Sequence, residues 1–444
     1  MHCYGLPFYA GWGLTVDQQV CERRADKLTL AELISAALIQ YPQYLNPETN
    51  QLCEVETIVD WLALQLSGQD NAVDVCYAFN FSLWKRAFIK QFVGRMAKKV
   101  IFISDKQQLI KLASENPNVA VLLWGANHSE WVTQLKQSCP VWFIEDGFIR
   151  SIGLGADLRR PSSLVIDKQG MYYVPDKPSD IVDILNKIAL TESQDRRAQQ
   201  LARSVVERAL SKYNVGQKEL SESALTSIQT LNKLSKSQQE IILVPGQFEQ
   251  DQSIANSRGK IKSNLGLLQQ VRIDYPDAFI VYKEHPDLYS GVRPGALGEE
   301  AAIKVADLYL ADVDITLALD LCDRVCTLTS LTGFEALLRD KKVSTYGSPF
   351  YAGWGLTDDR LDFAERTNKI TLQQLIFATL VSYPKYVDWT TGLLTTPERV
   401  IDLLAEERSR TEFQSGGELR LHSSWLARSI RKIKYFYEAT RFKQ

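Results

Sequence analysis

Short apolar runs rich in β-branched residues recur along the chain: Val100–Ser104, Val119–Trp124, Val141–Ile144, Ile241–Val244, Phe279–Tyr282, Val325–Leu328 and Val343–Thr345. They are almost continuously apolar rather than alternating, the pattern of parallel strands covered on both faces. Helix-length segments separate several of them, which predicts doubly wound α/β units. The stretch Asp180 to Ser237 is polar and helical, with Ala198, Leu201, Val205 and Ala209 at helical spacing. It divides the strands into an earlier and a later group. Two Rossmann-like halves facing a central cleft are therefore expected, over 81–240 and 241–345.

An internal repeat sets the rest of the organisation. Residues 4–15 read YGLPFYAGWGLT and residues 346–357 read YGSPFYAGWGLT. Leu28-Thr29-Leu30 matches Ile370-Thr371-Leu372, and Tyr41-Pro42-Gln43-Tyr44 matches Tyr383-Pro384-Lys385-Tyr386, at the same offset. Residues 1–66 thus duplicate 343–408. They read as the helical C-terminal piece of a preceding homologous module, with the chain a piece of a longer protein. The polar, turn-rich 67–80 reads as a linker, 346–408 as a helical closing segment and 409–444 as a basic tail.

Composition narrows the classes. The chain has 444 residues, 45% hydrophobic and 23% charged, with a formal charge of −2. Disordered and fibrous classes are excluded, and nothing favours nucleic acid as partner. No apolar run is long enough to span a bilayer. Met1 to Gly13 lack the basic and apolar regions of a signal peptide. The seven cysteines are scattered, so reduced thiols in a cytoplasmic protein, without structural zinc, are expected.

Polar motifs follow four of the strands immediately, where open parallel sheets bind ligands. Glu145-Asp146-Gly147 offers two carboxylates, and burial could make one a base; the plain alternative is a solvated acidic turn. Arg150, Ser151, Arg159 and Arg160 follow it as anion-binding candidates. Asp251, in Gly246-Gln247-Phe248-Glu249-Gln250-Asp251, is either a nucleophile at an anomeric carbon or the cap of the next helix. His285-Pro286, preceded by Lys283, offers donors to a phosphate. Ser330-Leu331-Thr332-Gly333-Phe334-Glu335 reads as a phosphate-cradling strand-to-helix turn or as a simple capping box. There is no Walker A or GxGxxG fingerprint. The repeated aromatic block is either packing or substrate floor.

In order and spacing, the doubled YGxPFYAGWGLT, EDGFIRS, RRPSSLVIDKQGMYY, GQFEQDQSI, KEHPD and SLTGFEALL resemble the capsule-biosynthesis β-Kdo transferases of the KpsC type. The resemblance spans essentially the whole chain. It implies a GT-B-like fold and a retaining transfer of Kdo from CMP-β-Kdo to a Kdo-terminated glycolipid. That reaction would build the poly-Kdo linker of capsular polysaccharide, with a β-(2→7) bond from the second of two modules. The resemblance gives Asp251 the nucleophile's role and Glu145 the acid/base role. It gives CMP to His285, Lys283, Ser330, Thr332, Gly333, Glu335 and Gln247. Kdo falls to Arg150, Ser151, Arg160 and Asp146, because Kdo carries a carboxylate that arginines can clamp. No cofactor or metal is expected. Glu284 stands where Pro is more usual.

The tail Leu419 to Gln444 is basic (Arg420, Arg428, Arg431, Lys432, Lys434, Arg441, Lys443), with Trp425, Leu426, Ile430, Ile433 and Tyr437 near one helical face. It either packs on the module or docks on an anionic membrane. The second reading implies a peripheral protein on the inner face of the inner membrane, near the capsule export machinery. A CMP-sialic acid transferase and a non-catalytic scaffold of that machinery are the competing functions.

Overall fold

The structure is a computed structural model describing all residues except 1, 20–21, 25, 127–128, 153–158, 213–221, 236–238, 290–294, 312, 415–424 and 442–444. It divides into two compact units, Met1–Ser67 and Gly68–Gln444.

In the larger unit the first half is built on β1 (Val73–Phe79), β2 (Ala97–Ile103), β3 (Val119–Trp124), β4 (Val141–Asp146) and β5 (Ser163–Asp167). The second half uses β6 (Ile241–Pro245), β7 (Phe279–Lys283), β8 (Leu308–Leu310), β9 (Arg324–Thr327), β10 (Lys342–Thr345) and β11 (Asp358–Asp359). Two late strands, β12 (Pro384–Asp388) and β13 (Leu393–Thr395), return to the first half. The sheets run β13-β12-β5-β4-β3-β1-β2 and β8-β7-β6-β9-β10-β11. The second sheet is wholly parallel. The first is mixed: β5 and β12 are antiparallel to their neighbours, as is β13. Central strands such as Ile241–Pro245 are buried throughout, which explains their unbroken apolar runs.

Five helices matter below: α1 (Leu83–Val93), α2 (Gln252–Asn256), α3 (Thr332–Leu337), α4 (Pro397–Gln414) and α5 (Trp425–Arg441). α4 straps the halves together. Arg408 donates both to the Ala209 carbonyl, at 2.6 Å, and to Asp314 Oδ2 of the second half, at 3.2 Å.

Several boundaries move. The expected linker 67–80 holds β1, an interior strand of the first sheet between β3 and β2; its Asp74 and the polar residues before it disguise the run. The 180–237 stretch is three helices, Asp180–Lys187, Glu192–Glu207 and Glu222–Leu234. The closing segment is not simply helical, because it supplies β11 to one sheet and β12 and β13 to the other.

The smaller unit, also read as helical, holds two two-stranded pairings besides its helices. It reproduces the closing segment bond for bond. Trp12 Nε1 donates to the Phe8 carbonyl at 2.9 Å, and Trp354 Nε1 to Phe350 at 2.8 Å. Arg24 donates to the carbonyls of Pro7 and Ala10, and Arg366 to those of Pro349 and Ala352. Thr29 and Thr371 each open a helix with a capping box. Burial separates the copies: Phe350 is 5% exposed and Phe8 62%, Tyr383 5% and Tyr41 90%. The small unit has the local bonds of its counterpart without an α/β body of its own.

Candidate active site

A cleft of about 400 Å³ opens between the two halves of the larger unit, lined from both by residues including Glu145, Asp146, Tyr173, Gln247, Asp251, Lys283, His285, Ser330, Thr332 and Glu335. Its size suits a nucleotide-sugar fragment, and strand ends build its walls.

On the first wall, β4 delivers Glu145 and Asp146 as its core side chains give way to partly exposed ones. Gly147 follows because the chain crosses β5 at close quarters: a Cβ there would lie 2.2 Å from Ser163 Oγ. Burial first, and then the charge of Asp146, push the Glu145 carboxyl up to about 7. Tyr173 stands beside it. Its hydroxyl accepts the Ala126 N–H at 2.8 Å, and burial with the charges of Glu145 and Asp251 raises its phenol. One residue thus feels the carboxylates of both walls.

On the second wall, β6 leads into Gly246-Gln247. Gln247 is pinned by Asn264, whose Oδ1 accepts its N–H at 2.9 Å. Its side chain receives the Thr329 N–H at 3.1 Å and donates to Thr329 Oγ1 at 3.0 Å. Asp251 is exposed, and its Oδ1 accepts the Ser253 N–H at 2.8 Å as the N-cap of α2. Asp251 is thus the helix cap that the sequence offered as one alternative, and it also lines the cleft. Lys283 is buried at the end of β7, and His285 follows it. Glu284 accepts from the Tyr282 hydroxyl at 3.1 Å and from the N–H groups of His285 and Gly298 at 3.2 and 3.1 Å. It thereby fixes the loop that carries the histidine. Ser330 Oγ accepts the Thr332 N–H at 3.2 Å. Glu335 is buried, accepts the Lys212 N–H at 3.0 Å and is pushed up to about 6, mainly by burial.

Four expected ligand residues do other work. Arg150 is buried behind the floor, its Nε 2.7 Å from Asp146 Oδ2, and it donates to the buried Ser151 hydroxyl at 2.9 Å. Neither Arg150 nor Ser151 lines the cleft. Asp146 does line it, with its charge answered by Arg150. Arg160 lies away from the cleft, its guanidinium 3.7 Å from the Trp389 ring centroid and 4.7 Å from that of Tyr435. Gly333 is buried packing, since a Cβ would fall 2.1 Å from the Tyr351 hydroxyl. Conversely, the aromatic block packs and also reaches the cleft: Tyr351 and Trp354 are buried, while Ser348, Pro349 and Phe350 line it. Sequence reasoning missed Tyr173, Lys212 and Thr329. Thr329 adjoins a flagged motif; Tyr173 closes the RRPSSLVIDKQGMYY motif but follows no recognised strand, so no site role was read for it.

A cleft between two α/β halves, with carboxylates on opposite walls and hydroxyl-rich turns at the strand ends, defines a GT-B-like α/β protein. Residues 119–386 match the family described as capsule polysaccharide biosynthesis protein, and the chain belongs to that family. It is 38% identical over 445 residues to the capsule polysaccharide modification protein LipA of Neisseria meningitidis serogroup B (strain ATCC BAA-335 / MC58). That match covers 98% of this chain and 60% of LipA, so the chain spans about 60% of that relative's length. Among solved structures, the β-Kdo 2,7 transferase of Thermosulfurimonas dismutans KpsC is similar at 33% identity and a TM-score of 0.59, over 76% of this chain and 100% of that one. The β-Kdo 2,4 transferase of the same KpsC shares the fold at 24% identity and a TM-score of 0.59, over 74% and 97% of the respective chains.

Proposed function

We propose that the chain is a retaining β-Kdo glycosyltransferase that moves Kdo from CMP-β-Kdo to a Kdo-terminated glycolipid, forming a β-(2→7) bond. The observation that carries this reading is the pair of carboxylates, Glu145 and Asp251, on opposite walls of one cleft. The 33% identity to a β-Kdo 2,7 transferase supports the linkage.

In the first step an Asp251 oxygen attacks C2 of Kdo. The bond from C2 to the phosphate oxygen breaks, and CMP leaves with the electron pair. His285, Lys283 and the Ser330–Thr332 turn take up the charge on the departing phosphate; no metal is given a role. In the second step the acceptor hydroxyl attacks C2, its proton passes to Glu145, and the Asp251 carboxylate is released. Two inversions give retention. Glu145, raised to about 7, suits a base near neutral pH.

Incubating the protein with CMP-Kdo or CMP-sialic acid and a Kdo-terminated acceptor tests the reading. Extension by Kdo alone is expected. Extension by sialic acid would favour a sialyltransferase, and inertness toward every acceptor a scaffold.

The lipid end of the acceptor fits a membrane-docked protein. On α5, Tyr435 turns inward, with its ring centroid 5.9 Å from that of Trp84. Ile430, Ile433, Phe436 and Tyr437 are exposed, flanked by Lys432 and Lys434. One face of α5 therefore packs on the module, and the exposed apolar side chains support the docking reading. Arg420, Lys443 and the side chains of Trp425, Leu426, Arg428 and Arg441 lie outside the described residues. No described helix is long and apolar enough to cross a membrane. An interfacial helix of this kind binds anionic lipid. The triple change Ile430→Glu, Ile433→Glu, Tyr437→Glu is expected to abolish co-sedimentation with phosphatidylglycerol vesicles; unchanged sedimentation would reject the docking.

A further inference from the structure

Lys85, in the first turn of α1, has no part in the chemistry above. β1 runs into α1, so the start of this helix lies at the ligand-binding edge of the first sheet. The Lys85 ammonium sits over the Trp124 ring, 3.3 Å from its centroid. Trp124 ends β3 and pairs in register with Ile144 on β4, one residue before Glu145. The next residue, Gly125, is so placed that a Cβ on it would stand 3.4 Å from the Tyr173 hydroxyl and 3.6 Å from Glu145 Oε2. Lys85 and Trp124 do not themselves line the cleft; they stand beside the strand ends that deliver the proposed base, at the margin where an acceptor enters.

Its electrostatics are unusual for a lysine so placed. Burial above all lowers it to about 8, with the Arg150 charge acting in the same direction and the nearby charges of Glu145 and Asp146 acting to hold its proton on. Yet among the described residues no carboxylate lies within ion-pairing reach of it. Asp146 is already answered by Arg150, at 2.7 Å. Lys85 is held by an aromatic face instead of an acid, and its charge remains available beside the place where the acceptor hydroxyl must be deprotonated. An acidic sugar whose hydroxyl approaches Glu145 brings its own carboxylate within a ring's width of that hydroxyl.

We propose that Lys85, pinned on Trp124, is the anchor for the carboxylate of the acceptor sugar. This rests on the transferase reading and adds the acceptor's subsite to it. The donor's nucleotide goes to the opposite wall, so the anchor acts on the acceptor alone. Recognition of an ionised partner of this kind contributes about tenfold or more in affinity.

The test uses the full chain, the methyl glycoside of Kdo and its uncharged carboxamide. Ligand-observed NMR titration without donor reads the subsite independently of turnover. Wild type is expected to bind the carboxylate at least about tenfold more tightly than the carboxamide. Lys85→Met is expected to erase that preference, and Lys85→Arg to restore most of it. With CMP-Kdo present, Lys85→Met is expected to raise the acceptor KM by a similar factor. Steady-state CMP release in the absence of acceptor, in which water resolves the Asp251 adduct and Glu145 takes its proton, should stay within about twofold. Equal binding of the two probes by wild type, or an unchanged preference in Lys85→Met, overturns the anchor. A fall in acceptor-free CMP release that matches the fall in transfer overturns it too, because Lys85 would then act on Glu145 or on folding. Absence of CMP release in wild type would defeat the transferase reading, while the NMR arm still decides the subsite.

Discussion

Glu145 ties the local electrostatics to a measurable pH dependence. Its carboxyl is raised to about 7 by burial and by Asp146, and only the deprotonated form accepts a proton. Transfer is therefore expected to rise with pH through about 7, falling about tenfold for each unit below it. A limb near the ordinary glutamate value would contradict the assignment. Replacing Arg150 by Met leaves Asp146 without its counter-charge, which is expected to move the limb to higher pH. Glu145→Gln is expected to cost about a hundredfold or more in transfer. Asp251 permits a cleaner separation, because Asn caps helices as well as Asp does. Asp251→Asn should keep the melting temperature and lose turnover; a fall in both would point to a capping role alone.

At the level of elements, the carboxyl ends of the strands carry the site, and the aromatic block supports one of them from behind. Tyr351 packs against α3 so closely that Gly333→Ala is expected to destabilise the protein by about 1–3 kcal/mol, read as a lower melting temperature. This is where the sequence was informative and where it was not. All seven apolar runs overlap strands, because buried parallel strands must be apolar on both faces. β1 was hidden by Asp74 and a polar lead-in. β5 and β12 were hidden because short antiparallel strands beside a loop lack a long apolar run. Among site residues, Glu145, Asp251 and Gln247 were legible as polar groups in the motifs that follow apolar strand runs. Arg150, Ser151 and Arg160 were flagged by charge and proximity in sequence. Whether a guanidinium faces the cleft, an aspartate behind it or an aromatic ring is a tertiary fact that residue order does not encode.

In the whole molecule, every residue lining the cleft belongs to the larger unit. Residues 68–444 alone are therefore expected to retain CMP-Kdo turnover; loss of turnover with an intact fold would give the small unit a part in the reaction. Exhaustive dialysis against EDTA is expected to leave the rate unchanged, since side chains are proposed to hold the phosphate charge; a loss restored by a divalent cation would refute that. The most direct test of the whole account is mass spectrometry of the protein after exposure to CMP-Kdo without acceptor. The account predicts a mass increment of one Kdo on the peptide containing Asp251, absent from Asp251→Asn. An adduct on another residue, or turnover by wild type and Asp251→Asn alike, would contradict it.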